Sequence, residues 1–329
     1  MNNPDKQVAV IVPAYNSADT IRETLESVCC QTWTNLDIIV VDDGSTDNTA
    51  FLVSKMAVGD QRIRLVRSPN GGVAAARNLG AAKSKAPFIA FLDADDLWAP
   101  EKIAAQMELA DVQHHGPSLV YCWFAQIDRN SRVYPVGQQP VIEGRIWKQL
   151  IRSNFVGNGS SMLMAREVFD NIGGFDTSLA EAGLQGCEDL LFLLHAARQF
   201  PFKVANRHLL GYRLSHTSMS ASVERMLGSF DYISDIMDVE LAEHSRLWKE
   251  HRNDLVEWLA NRAAMSGNFR AVLKVLRLSR EKTVASALAL LPKVLETYVR
   301  AYLVPEWVKG LSRRVGLIKT RPLYLEVNW

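Results

Sequence analysis

The sequence predicts an α/β fold, a mostly parallel sheet with helices on both faces, followed by a mainly helical C-terminal extension. Three observations carry this. Short β-branched runs alternate with helix-length segments through the first 130 residues, the pattern of strand–helix–strand units. Glycine, asparagine and aspartate gather where the strand runs stop. From about residue 245 the pattern is almost wholly helical, and the charge changes sign. Residues 1–244 hold 21 basic and 29 acidic residues, whereas 245–329 hold 16 and 7.

The elements follow in order. Residues 7–12 form a buried-strand run that Pro13 is expected to end, and 18–31 read as a helix with Ser17 at its N-cap. The next strand covers 36–41, with a helix over 46–57 and a third strand over 62–67. An Ala-rich helix over 73–83 leads to a strand at 87–93 and a helix at 100–115. Beyond residue 118 the pattern is mixed. Strands are expected at 118–127, 160–165, 202–206 and 209–215, and helices at 186–199 and 221–243.

Composition narrows the function classes. A chain of 329 residues allows roughly two domains at about 150 residues each. The 48% hydrophobic and 22% charged content excludes a disordered chain, a collagen-like repeat and a small disulfide scaffold. A net charge of +1 argues against a generic nucleic-acid binder. Cys29, Cys30, Cys122 and Cys187 have neither zinc nor disulfide spacing, which favours a reducing compartment. The polar start MNNPDKQ does not resemble a secretory signal, and no uncharged apolar run of 18 residues predicts a bilayer span.

In parallel sheets ligands bind beyond the carboxyl ends of the strands. That rule selects the loops 13–17, 42–47, 69–78 and 93–98. The last carries Asp93-Ala94-Asp95-Asp96, carboxylates suited to Mg²⁺ or Mn²⁺ shared with a ligand's phosphates, or else a solvated acidic turn. Asp42 and Asp43 follow another strand, where a carboxylate accepts from a ribose hydroxyl or a base N–H, or closes an Asx turn. Gly71 and Gly72 let backbone approach a ligand, and Arg77 lies one turn into the next helix, a residue type suited to phosphate. Glu188 and Asp189 start a helix before the apolar run LLFLL, so they either complement the helix dipole or project a carboxylate into a cleft.

These loops, in this order and spacing, resemble family 2 glycosyltransferases of the GT-A fold. The matching strings are VAVIVPAYNS (8–17), IVVDDGSTDNT (39–49), NGGVAAARNLG (70–80) and FIAFLDADDLW (88–98). They continue with GNGSSMLMAREVFDNIGGFD (157–176), Glu188-Asp189 and YRLSHTSMS (212–220). The resemblance covers about residues 7–220, and it implies a catalytic domain over 1–220 with a helical region over 221–329.

It also implies roles. Pro13, Ala14, Tyr15 and Asn16 would lie against a nucleotide base and Asp42 would contact that base, with Asp43 and Gly72 in the same donor site. Asp93 would touch the ribose, Asp95 would hold Mg²⁺ or Mn²⁺ on the diphosphate, and Arg77 would lie near the phosphates. Asp189 would be the catalytic base with Glu188 beside it, and His216 a further metal or diphosphate contact. The expected reaction is inverting, metal-dependent transfer of one sugar from a nucleotide-diphosphate sugar, with UDP implied, to a hydroxyl on a carbohydrate or lipid-linked acceptor. No QxxRW string of the processive type is present.

Two other readings compete. A sugar-nucleotide nucleotidyltransferase would carry a Gly-rich basic loop after the first strand, where PAYNS stands. A non-catalytic sugar-nucleotide or membrane-surface binding module would not need Asp95 and Asp189. The tail segment 284–303, divided by Pro292, and the nearby Trp307, Lys309, Arg313, Arg314, Lys319, Arg321 and Trp329 fit two arrangements. One is peripheral contact with anionic lipid. The other is a bundle packed on the catalytic domain or in a homo-oligomer. The expected location is cytoplasmic, extending to the inner face of the membrane.

Overall fold

A computed structural model of the chain describes residues 6–110, 116–134, 139–214, 222–265, 270–271, 274–275 and 323–326. The chain opens with β1 (Val8–Ala14), α1 (Ile21–Cys29), β2 (Leu36–Asp43), α2 (Thr49–Gly59), β3 (Ile63–Ser68), α3 (Val73–Ala82) and β4 (Phe88–Phe91). Next come β5 (Leu97–Trp98), α4 (Lys102–Leu109), β6 (Leu119–Ile127) and α5 (Trp147–Arg152). After a 3₁₀ turn at Gly159–Ser161 stand β7 (Leu163–Ala165), α6 (Arg166–Ile172), α7 (Ser178–Glu181), α8 (Glu188–Gln199) and β8 (Phe202–Arg213). Helices α9 (Val223–Ile236), α10 (Asp238–Ala242) and α11 (Ser245–Met265) follow.

Among the described residues one sheet holds all eight strands in the order β3-β2-β1-β4-β7-β6-β8-β5. Its first half is parallel: β1 pairs with β2 from Val8↔Leu36 to Ala14↔Asp42, and with β4 from Val8↔Phe88 to Ile11↔Phe91. Every residue of β1 is buried, as expected for a central strand covered on both faces. The second half is mixed. Strand β7 runs antiparallel to β4 and β6, β6 runs parallel to β8, and β5 closes the edge antiparallel to β8.

Several boundaries differ from the sequence expectation, each for a visible reason. Pro13 does not end β1. The Ile11 carbonyl accepts from Leu92 N on the β4 side, so the alternate residue Pro13 also faces that side, beyond the last paired β4 residue. Its missing N–H therefore breaks no ladder bond. Ser17 does not cap α1, whose N-cap is Thr20. The amides of Ser17 and Ala18 instead donate to Thr49 Oγ1 and Asp47 Oδ2, which welds the first loop to the second and delays α2 to Thr49. The strands expected at 202–206 and 209–215 are one strand, β8. Its pairing with β6 jumps from Cys122↔Ala205 to Trp123↔His208 and then to Phe124↔Leu210, so bulges absorb the polar Asn206 and Arg207. The expected strand over 160–165 is shortened by the 3₁₀ turn, and the helix over 221–243 divides at Met237. Residues 111–115 of the helix expected at 100–115 lie outside the described residues.

Helix α11 packs on α5, where Arg152 pairs with Glu250 at 2.7 Å and Asp254 at 2.7 Å. Between these helices His251 Nε2 accepts from Asn154 N at 3.1 Å, and burial holds the imidazole down at about 4, neutral as that acceptor role requires. Tyr324 returns to the sheet and is fully buried beside Gly211, its hydroxyl donating to the His208 carbonyl at 3.0 Å. The tail segment 284–303 and its flanking Trp, Lys and Arg residues lie outside the described residues. No helix among the described residues is long and apolar enough to cross a membrane.

Candidate active site

The parallel half of the sheet delivers its loops to one pole, because β1, β2 and β4 all end there. The first loop carries Pro13, Ala14, Tyr15 and Asn16. Tyr15 is half exposed, and Asn16 adopts a left-handed φ of 49°. That conformation suits asparagine, and bonds to the second loop hold it. Asn16 N donates to Ser45 Oγ at 2.9 Å, and Asn16 Oδ1 accepts from Thr46 N at 2.8 Å.

Asp42 and Asp43 have different tasks. The buried Asp42 carboxylate accepts from Ser45 N at 3.1 Å and from Arg67 Nε at 3.2 Å. The Arg67 side chain is itself 68% exposed, so this carboxylate lies close beneath the surface. Asp43 gives both oxygens to backbone, accepting from Gly71 N and Gly72 N at 2.9 Å each. Asp43 therefore ties the end of β2 to the loop that opens α3. Gly72 has φ 87° at the start of α3, where a side chain would be strained.

Arg77 sits at the centre. Its guanidinium is 3% exposed, pairs with Asp93 at 2.6 Å and lies 5.0 Å from the centroid of the Phe175 ring. Gly159 makes room for it: a Cβ there would stand 2.8 Å from Arg77 Nη2. The charges of Asp93, Asp189 and Glu188 all act on this one guanidinium and hold its proton more firmly against the opposing effect of burial. Residues more than 90 positions apart in sequence thus share one electrostatic centre.

The Asp93–Asp96 loop is braced from the far half of the sheet. Asp93 N donates to Ser160 Oγ at 3.0 Å, and Ser160 Oγ donates to Asp96 Oδ2 at 2.7 Å. Asp96 also accepts from Asn158 Nδ2 at 2.8 Å and Arg213 N at 2.9 Å. Burial, then the charges of Asp95 and Asp93, push its carboxyl well above the usual range. Asp96 is a structural hub. Burial first, and the neighbouring Asp93 second, raise Asp95 to about 6.

Helix α8 begins at the same pole. Asp189 accepts from Leu190 N at 2.8 Å and is raised to about 7, by burial first and by Glu188 and Asp93 next, against the opposing pull of Arg77. Glu188 is 3% exposed; its Oε2 accepts from Gly186 N at 2.9 Å, and its Oε1 has no partner among the described residues. Arg77 Nε and Asn158 Oδ1 are likewise buried without a hydrogen-bond partner among the described residues.

A divalent cation fits this chemistry. Two mutually repelling carboxylates, Asp93 and Asp95, gain from a cation that favours their charged forms. Among the described residues no three His, Cys, Asp or Glu side chains cluster as a metal site. His216 lies outside the described residues. Sequence reasoning missed Asp96, Asn158, Ser160 and Arg213 as the brace. All four stand in the recognised strings, but hydrogen bonds spanning 62 to 117 residues have no local signal.

The family model for glycosyl transferase family 2 matches residues 9–173, half of the chain. The chain belongs to this family. It is 37% identical over 130 residues to the Escherichia coli UDP-Glc:alpha-D-GlcNAc-diphosphoundecaprenol beta-1,3-glucosyltransferase WfgD, covering 39% of this chain and 50% of that one. It is 32% identical over 179 residues to an uncharacterised glycosyltransferase of Rickettsia prowazekii, covering 52% and 54%. The matched stretch spans 24% to 54% of the length of these and other curated relatives. Among solved structures, S. aureus TarS residues 1–349 with UDP-GlcNAc align at TM-score 0.57 and 21% identity, over 94% of this chain and 92% of that one. The Pyrobaculum calidifontis mannosyltransferase PcManGT with GDP-Man and Mn²⁺ aligns at 0.53 and 20%, over 96% and 87%. The fold of this family 2 chain is accordingly GT-A, with a helical C-terminal region.

Proposed function

We propose that this protein is an inverting glycosyltransferase that moves one sugar from a nucleotide-diphosphate sugar to an acceptor hydroxyl, its catalytic unit lying within residues 1–220. The observation that carries this reading is the single rim joining Asp93, Arg77, Glu188 and Asp189. The loops bearing Asn16 and Asp42 open on the same pole and would take the nucleotide base. UDP is the nucleotide we assign, in keeping with the UDP-sugar in the name of WfgD and in the TarS complex.

The chemistry follows from the residues. Asp189, held near 7, accepts the proton of the attacking hydroxyl as its oxygen bonds to the anomeric carbon. On the opposite face of the sugar the bond to the diphosphate breaks, and the nucleoside diphosphate leaves with the electron pair. One displacement inverts the anomeric centre. Asp95 and Asp93 would hold Mg²⁺ or Mn²⁺, which when bound supplies Lewis-acid stabilisation of the departing charge. Arg77 holds Asp93 in place through their ion pair and adds fixed positive charge beside the leaving group. The acceptor we assign is a lipid-linked glycan, because WfgD is named for a diphosphoundecaprenol-linked acceptor. That assignment gives the basic C-terminal region a use at the inner face of a membrane.

The test is a panel of sugar nucleotides, each with Mn²⁺, Mg²⁺ or EDTA, read by thermal stabilisation and by the anomeric configuration of the transferred sugar. A bound donor raises stability by mass action. The reading expects metal-dependent stabilisation by one nucleotide and an inverted product. A retained anomer, or stabilisation by every nucleotide irrespective of metal, overturns it.

A further inference from the structure

Arg213 ends β8, and its guanidinium is 2% exposed at the back of the Asp93–Asp96 loop. Its donors are nearly all committed. Nε donates to the Asp95 carbonyl at 2.6 Å and Nη2 to Glu23 Oε2 at 2.8 Å. Nη1 reaches the Asp128 carbonyl at 3.1 Å, the Arg129 carbonyl at 3.2 Å and Ser131 Oγ at 3.1 Å. The same residue's backbone N donates to Asp96 at 2.9 Å. One side chain thus binds α1, the turn after β6, and the backbone of Asp95. A planar fork does this, and an ammonium does not.

The turn that receives the fork is itself held under strain. Ser131 is buried with φ 60°, a conformation a residue with a side chain adopts only when its surroundings enforce it. Its hydroxyl donates to Glu23 Oε1 and accepts from Arg213. Its carbonyl accepts from Tyr324 N at 2.8 Å, and the neighbouring Arg132 bridges to Leu323. Residues 323–324, from the far end of the chain, therefore close the cage around Arg213.

We propose that Arg213 is a positioning residue for the cation and diphosphate: it fixes the backbone of Asp95, and so the direction of that carboxylate, within a cage made by Glu23, Ser131 and the returning C-terminal residues. This rests on the assignment of Asp95 as the carboxylate that would hold the cation. Loss of a hydrogen-bonding partner behind a metal ligand typically weakens metal binding about 10- to 100-fold.

The test measures Mn²⁺ affinity directly, by electron paramagnetic resonance titration of the full chain with saturating UDP, alongside thermal melting. Arg213→Lys keeps the charge but not the fork, and it is expected to weaken Mn²⁺ binding about 10-fold while kcat at saturating metal falls much less. Ser131→Gly removes the hydroxyl at a φ that glycine adopts freely. It is expected to stay folded and to weaken Mn²⁺ binding severalfold, so the proposal remains exposed even where Arg213→Lys does not fold. A folded variant of either kind with unchanged Mn²⁺ affinity overturns the positioning role alone. A wild-type chain that binds no Mn²⁺ with UDP overturns the donor-site assignment as well.

Discussion

The two parts of this pole hold their acidic residues in opposite ways. At the end of β2, Asp43 is satisfied by two backbone amides and Asp42 by one amide and an arginine at the surface. In the loop after β4 and at α8, Asp95, Asp96 and Asp189 are buried among other acids and pushed upward. Amide-bound carboxylates shape loops. Desolvated carboxylates crowded by other acids, by contrast, hold a proton close to neutral pH, as Asp189 does. Arg77 joins the loop after β4, through its ion pair with Asp93, to the acidic start of α8.

This division can be tested by substitution. Asp189→Asn is expected to lower kcat about 10³-fold, the range of a lost general base, with donor affinity by calorimetry unchanged. Near-normal turnover would place the base elsewhere. Arg77→Met leaves Asp93 and Asp189 without their shared cation, and about 3 kcal/mol of stability is expected to go, read from the urea midpoint. A shift below about 1 kcal/mol, the size of a surface pair, would mean the β4 loop and α8 are not electrostatically joined there.

Gly159→Ala drives a methyl group against an arginine that cannot withdraw, because Arg77 is buried and paired. Overpacking of this kind costs about 1–3 kcal/mol, with weaker UDP binding expected alongside. A variant as stable as wild type with normal UDP affinity would show that this turn yields freely. The pH dependence separates the two parts more gently. Asp189 is raised from an ordinary 3.8 to about 7, so the folded chain keeps a proton that the unfolded chain releases between these values. Its contribution to stability therefore falls as pH rises through that window. Activity runs the other way, with kcat/KM climbing about tenfold per unit below 7 as the base ionises. Asp189→Asn is expected to abolish that limb. The smallest effect is Asp43→Asn, which retains one acceptor for Gly71 or Gly72 and is expected to cost about 1 kcal/mol with no change in the pH profile.

How far the residues alone disclosed this molecule follows the same division. The strands β1 to β4 and the loops after them were readable because each strand run of 4 to 8 residues meets its turn residues at once. Asp93 and Asp95 stand in such a turn, and Asp42 among the last residues of β2. Asp43 was readable as a loop residue but not as one turned inward, since that depends on where Gly71 and Gly72 return. The mixed half was harder. Strand β8 looked like two strands because its polar interruption at Asn206 and Arg207 is absorbed by bulges opposite β6. Pro13 looked like a stop because its missing N–H matters only where a neighbouring strand continues.

Local pattern was sufficient for the fold class, the polar loops at the strand ends and the family resemblance, since periodicity and turn chemistry act over a few residues. The placement of Asp189 beside Arg77, the conversion of Asp96 into a hub and the cage around Arg213 arose from chain segments 62 to 190 residues apart. Burial and charge at such contacts depend on which segments meet, and that is a property of the packed molecule.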